Sequence, residues 1–213
     1  ATLVADAQRG TSTAIWFEGA RLIVGDGSAP VENAAFLVEG DAFTWVGKQG
    51  QRQPPQGATR VDLSGKTVIP ALIDGHNHIG LVNEKDGSNS KANYRRENLV
   101  DVLERYAYYG VAATLSMGLE ADQELAYQLR DEVIPNAARF LTVGKGIAAT
   151  PIGGPPGEPR LGIPYGARTY KEGRDHVREL HSRGVHFVKI WVDDRNGDVP
   201  KLQPAVYRGI IAE

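Results

Sequence analysis

The sequence contains no cysteine and only one methionine among its 213 residues. Without cysteine there is no disulfide framework, no thiolate metal site and no cysteine nucleophile, so any metal must be held by nitrogen and oxygen donors. No apolar run approaches the ~20 residues that a membrane span requires, and no basic amphipathic helix stands out. Neither sign of charge dominates. The 24 basic and 26 acidic residues give a formal net charge of −2 and are spread along the chain, with no Lys/Arg block of the kind that marks a nucleic-acid partner. What is present is 41% hydrophobic content over a length that can bury a core, which predicts one or two globular domains. The chain begins at Ala1 rather than Met, as it would after removal of a signal peptide at a small residue or after truncation. A periplasmic or secreted location is the expectation, slightly ahead of the cytoplasm.

Residues 1–13 are small and polar, without periodicity, and read as a flexible arm. From Ala14 to Lys66 the character is that of a small β-sheet unit. Segments 15–17, 21–24, 35–39 and 43–47 are short, rich in β-formers and punctuated by Gly19, the Gly25-Asp26-Gly27 turn and Gly40-Asp41. A polar, proline-containing stretch over 49–57 and a further strand over 60–63 lead to a turn at Ser64-Gly65.

From 67 to 213 strand-like and helix-like segments alternate, the pattern of βα units on a parallel sheet or barrel. Strands are expected over 67–73, 111–116, 139–143 and 185–192, and helices over 97–109, 122–133, 170–183 and from Pro204. The first helix places Leu99, Val102, Leu103 and Tyr106 on one face and is closed by Gly110. A long loop rich in glycine and proline, including the run IGGPPGEP, spans 144–169 and is placed to form a rim. Four units leave a (β/α)8 barrel half built, with unpaired edges and an open apolar interior. A half-length fragment, a remainder on another chain and an open sheet are all compatible with that count.

The chemistry gathers at two places. Residues 68–80 read VIPALIDGHNHIG, with His76 and His78 at i and i+2 just past an apolar strand. Alternation puts Asp74, His76 and His78 on one face, where two imidazoles can chelate one cation and Asp74 can support them by hydrogen bonding. The bare pair is a weak signal, and two polar histidines at a strand end would give the same pattern; the position at the end of the strand is what raises it. The second place is Lys189 in HFVKIWVDD, a lysine amid apolar residues that would be costly to bury as a free ammonium. The bland alternative is a packed stem with its amine in solvent. His176 and His181 fall on a surface helix and read as solvated, His186 has the opposite parity to Lys189, and Asp193 and Asp194 could line a pocket.

The run PALIDGHNHIG closely resembles the first-strand signature of the amidohydrolase superfamily, with Ala71 where glycine is usual. The preceding VDLSGKTVIP and its β-rich unit resemble the small domain of that family, closest to the imidazolonepropionase-like and prolidase-like branch. The resemblance implies an α/β fold: a (β/α)8 TIM-type barrel, about the first half present, preceded by a small β-sandwich domain. It implies a metal-dependent hydrolase acting on an amide or related C–N bond, with ester or lactone also open, through metal-activated water. His76 and His78 would be metal ligands, and Lys189 a carbamylated lysine bridging two metals. The cofactor would be a divalent metal, zinc foremost, with iron, manganese and cobalt also fitting imidazole and carboxylate-type donors. The family's remaining histidines and its catalytic aspartate would lie beyond Glu213, so the isolated chain is expected to be inactive and the catalytic residue is unknown. Partners would be a small-molecule substrate and either a missing C-terminal half or a second copy of the chain. The contrasting expectation is an inactive half-barrel that self-associates as a scaffold. A phosphate-binding βα protein is disfavoured, because no GxGxxG or GxxxxGKS run opens a helix.

Overall fold

In a computed structural model, residues 14–150 and 159–213 are described; the arm expected over 1–13 and most of the IGGPPGEP run lie outside them. The chain divides into two compact units, Ala1–Pro70 and Ala71–Glu213.

The first unit is a five-stranded sheet of β1 (Ile15–Leu22), β2 (Val31–Glu39), β3 (Ala42–Lys48), β4 (Thr59–Asp62) and β5 (Thr67–Val68). Its path is β3-β2-β1-β4; the pairs β1–β2 and β2–β3 are antiparallel, while β4 and β5 run parallel to β1. Segments 15–17 and 21–24, expected as two strands, merge across Gly19. That residue sits at φ +85° where the register with β2 shifts, and a Cβ there would come 2.6 Å from Ser64 Oγ. Only glycine adopts such a bulge without strain. Trp16, Ala35 and Leu37 form the buried centre, with Trp16 stacked on Trp45 at 5.2 Å between ring centroids.

In the second unit β6 (Leu72–Asn77), α1 (Arg96–Tyr108), β7 (Val111–Ser116), α2 (Gln123–Asp131) and β8 (Arg139–Thr142) form two right-ordered repeats on a three-stranded parallel sheet, β6-β7-β8. Leu99 and Leu103 of α1 and Ala126 and Leu129 of α2 bury their apolar faces with Phe140 of β8 in one core. These are the i, i+3 and i+4 positions that a helix must turn toward a sheet. Asp122 caps α2 by accepting from the Leu125 N–H at 3.1 Å.

Beyond β8 come β9 (Ile147–Ala148), β10 (Tyr165–Gly166), α3 (Tyr170–Ser182) and α4 (Pro204–Ala212). The helix α3 starts with a full capping box: Thr169 Oγ1 accepts from the Glu172 N–H, and Glu172 accepts from the Thr169 N–H. Thr169→Ala is expected to lower stability by about 1 kcal/mol, read as a shift of the urea midpoint. Proline at the first position of α4 fits its missing N–H to a helix start.

Two expected strands are redrawn. The apolar segment 67–73 is split: β5 pairs with β1 in the first unit and β6 begins at Leu72 in the second. Pro70 lies between them and has no N–H to give to a ladder. The segment 185–192 forms no regular strand and makes a single parallel bridge, Ile147 to Ile190. Its template is short, because the chain turns at Gly144 with φ +66° and β9 is only two residues long. Among the described residues no helix is long and apolar enough to cross a membrane.

Candidate metal centre

The strand β6 carries the histidine pair at its carboxyl end. Its pairing with β7 is irregular between Asp74 and Asn77, and this changes which side chains share a face. Strict alternation would set Asp74 beside the histidines; instead Asp74 Oδ2 accepts from the Tyr106 hydroxyl of α1 at 2.9 Å, and Asn77 donates to Thr114. Asp74 therefore belongs to the helix-facing side. It still serves the pair through the backbone, since its Oδ1 accepts from the His76 N–H at 3.0 Å.

The rings of His76 and His78 stand edge-on, with centroids 5.4 Å apart. Much of the His78 surface is accessible, yet its pKa is driven down to about 4, first by desolvation and then by the charges of Lys189, His76 and Arg160. At neutral pH the His78 ring is therefore uncharged and its lone pair is available to a cation.

Lys189 lies within the same field. The chain around it is pinned by two backbone bonds: the Ile147 N–H donates to the Lys189 carbonyl at 2.8 Å, and the Trp191 N–H donates to the Ile147 carbonyl at 2.9 Å. Its Nζ lies over the Trp191 ring, 5.4 Å from the centroid. Trp191 in turn packs on glycines: a Cβ on Gly146 would stand 2.1 Å from its ring and one on Gly118 2.9 Å. Lys189 thus rests on Trp191, its charge bears on His78, and the strand expected around it is absent.

Among the described residues no three His, Cys, Asp or Glu side chains converge on a common point. The histidine pair fits two positions of an imidazole-binding metal, and the ammonium of Lys189 is no ligand until it loses its proton. Of the other candidates, Asp193 lines a cavity with Trp191, and Asp194 pairs with Lys201 at 3.3 Å. His176 is not solvated as expected: it stacks on Tyr165 at 4.4 Å, and its Nε2 lies 3.1 Å from the Gly166 carbonyl oxygen. His181 and His186 are exposed.

Two residues at or behind the site gave no signal in the sequence. Arg160 reaches the cleft beside His78 from the end of the glycine- and proline-rich loop. Glu120 is fully buried behind the carboxyl ends of β7 and β8, where Thr142 Oγ1 donates to its Oε1 at 2.7 Å. Among the described residues its Oε2 has no hydrogen-bond partner, and burial raises its pKa to about 7.

No family model matches the chain. Against curated proteins it is 31% identical over 94 residues to an imidazolonepropionase of Pseudomonas aeruginosa, which is 44% of this chain and 23% of that protein. Over 53 residues it is 45% identical to the imidazolonepropionase of Cereibacter sphaeroides, 25% of this chain and 13% of that one. Among solved structures, a prolidase complexed with N-methylphosphonate-L-proline matches with a TM-score of 0.72 and 19% identity, over 94% of this chain and 53% of that one. An amidohydrolase matches with a TM-score of 0.73 and 18% identity over the same shares. The chain spans about half the length of the solved proteins it matches and less than a quarter of these curated relatives. The fold is thus one that this prolidase and this amidohydrolase share, a mixed α/β architecture. The chain is similar in sequence to imidazolonepropionases over part of its length, and in fold to a prolidase and an amidohydrolase.

Proposed function

We propose that this chain is part of a metal-dependent hydrolase that cleaves an amide or related C–N bond in a small-molecule substrate, its second unit supplying the first four βα repeats of a (β/α)8 barrel. The observation that carries this reading is the His76 and His78 pair at the carboxyl end of β6, its rings edge-on with centroids 5.4 Å apart. His76 and His78 would hold a divalent metal, zinc foremost, as two nitrogen donors. When bound, such a metal supplies Lewis acidity that activates water and polarises a scissile carbonyl. The chain's own residues set the stage for it. Asp74 fixes the backbone at His76, desolvation keeps His78 neutral, and Trp191 with its two glycines holds the Lys189 stem in place.

Lys189 is the proposed site of carbamylation. Its neutral amine would add to carbon dioxide, forming an N–C bond and releasing a proton, which replaces an ammonium by an anionic oxygen donor suited to a metal. Names of the relatives support an amide-type substrate: imidazolonepropionase and prolidase. The histidine and aspartate ligands that the family adds are not among these residues, so the 213-residue chain alone is expected to show no turnover.

Zinc titration of the purified chain tests the reading. Saturable binding is expected, weakened about tenfold or more in His76→Ala and in His78→Ala, since each variant removes a donor from a chelating pair. Equal affinity in wild type and both variants would overturn it. The exposed Leu72 (54%), Ile73 (70%) and Phe187 (64%) support a second reading, an inactive half-barrel that buries them against another copy. Sedimentation decides between them, because a scaffold forms a stable homo-oligomer without metal.

A further inference from the structure

The parallel ladder between β6 and β7 closes with the Met117 N–H donating to the Asn77 carbonyl at 2.9 Å, one residue before His78. Residues 78–81 belong to no strand, yet the second imidazole hangs from them and needs a fixed backbone. The support comes from α1. Asn98, 6% exposed, donates from its amide Nδ2 to the Gly80 carbonyl at 3.2 Å, the Val82 carbonyl at 2.9 Å and the Asn93 carbonyl at 3.1 Å. No other group among the described residues donates to the Gly80 carbonyl. Three facing acceptors require a side-chain end that donates, which an amide nitrogen does and a carboxylate or hydrocarbon of the same size does not. Gly80 is also the residue that lets the chain lie this close to the helix. Its φ is +99°, and a Cβ there would stand 2.6 Å from the Tyr94 ring and 2.9 Å from Leu99 of α1. Ile79 and Leu81, on either side of it, are buried in the core that contains Leu99 and Leu103.

His78 is thus bracketed between two held carbonyls, that of Asn77 on the ladder and that of Gly80 on Asn98. His76 is placed differently: it lies inside β6, and its N–H is held by Asp74. We propose that Asn98 is a positioning residue which, through Gly80, holds the backbone of His78 so that its imidazole keeps the spacing from His76 that one metal ion requires. The consequence for metal rests on the metal-site reading above; the bracket itself does not. Asn93, from the neighbouring turn Lys91–Asn93, provides the contrast. Its Nδ2 donates to the Leu81 carbonyl at 3.0 Å, the Ser88 carbonyl at 3.0 Å and the Ser88 hydroxyl at 3.1 Å. The Leu81 carbonyl also accepts from the Ser90 N–H at 2.9 Å, so it keeps a partner when Asn93 is lost. Removing Asn93 loosens the loop beyond the site and leaves the bracket intact.

The test titrates zinc into the 213-residue chain as wild type, Asn98→Asp, Asn98→Ser and Asn93→Ala, with circular dichroism verifying that each folds. Asn98→Asp keeps the shape and loses the donors, and its zinc affinity should fall about tenfold, the lower end of what groups behind a metal ligand contribute. Asn98→Ser retains one shorter donor and should lose less; it carries the comparison if the aspartate variant does not fold. Asn93→Ala should bind zinc as wild type does. The metal-free chain gives a second readout by NMR relaxation: the backbone order parameter at His78 should drop in the Asn98 variants while that at His76 stays unchanged. Unchanged zinc affinity in the Asn98 variants, an equal loss in Asn93→Ala, or an unchanged order parameter at His78 would each overturn the proposal. Zinc failing to bind wild type defeats the metal-site reading, and the order parameters then decide alone: a drop confined to His78 sustains the bracket, and no drop overturns it.

Discussion

Glu120→Gln is expected to remove a pH-dependent loss of stability that wild type suffers between about pH 4.5 and 7. The carboxyl is fully buried, accepts a hydrogen bond from Thr142, and has an Oε2 without a partner among the described residues. Thr142, Ser116 and the Gly118 and Glu120 backbone favour the charged form, but burial outweighs them. Burial accordingly raises the pKa from 4.5 to about 7. Below 4.5 the group is protonated in folded and unfolded chains alike and costs nothing. Between 4.5 and 7 the unfolded chain ionises while the folded one resists, so stability falls as pH rises; above 7 the full penalty, about 3 kcal/mol, is in place. Glutamine cannot ionise and lacks that slope, although its amide keeps a fixed burial cost at every pH. His78 works in the opposite sense, destabilising the fold as pH falls from 6.5 toward 4, but it is common to both proteins and cancels in their difference. Urea midpoints across pH 4–8 measure that difference, and identical pH slopes for wild type and variant would show that Glu120 is not held in a dry environment.

The parts of this molecule that periodicity governs were legible in the sequence. The helix over 97–109 appears as Arg96–Tyr108, and the one expected from Pro204 spans Pro204–Ala212, because a 3.6-residue apolar repeat and a proline start are local properties. The strand at 111–116 lies where β-forming residues between Gly110 and Gly118 put it. What failed depended on neighbours. The segment 185–192 meets only the two-residue β9 and makes a single bridge to it, which depends on its neighbour rather than on residues 185–192 alone. The face of Asp74 is decided by an irregularity in the β6–β7 ladder, and a shift of this kind reverses every inference from alternation beyond it. The histidine pair was legible because both its members lie within three residues of one strand end. Arg160 and Glu120 were not, since each acquires its meaning only from residues brought to it by the fold.

The largest steric effect is expected at Gly146. Its φ is not in the left-handed region, so Gly146→Ala carries no backbone strain and isolates one contact: the new Cβ would stand 2.1 Å from the Trp191 ring and 2.5 Å from the next ring atom. No rotamer adjustment of a methyl relieves an overlap of that depth, so the indole must leave its seat. That displacement should cost about 1–3 kcal/mol or more, as overpacking does elsewhere. It also has a chemical consequence. The Trp191 ring lies beneath Lys189 Nζ, so moving the indole takes away the surface on which the lysine rests. Gly75→Ala is the matched control, because a Cβ there meets nothing within 4 Å and the backbone is compatible with alanine; it should be neutral or slightly stabilising. Urea unfolding reports the stability and near-ultraviolet circular dichroism reports the tryptophan environment. A lowered midpoint with an altered aromatic signal in Gly146→Ala alone means that the glycine pair is the seat on which Lys189 is positioned. An unchanged midpoint would mean that Trp191 is not packed on Gly146, and the placement of Lys189 would then need another support.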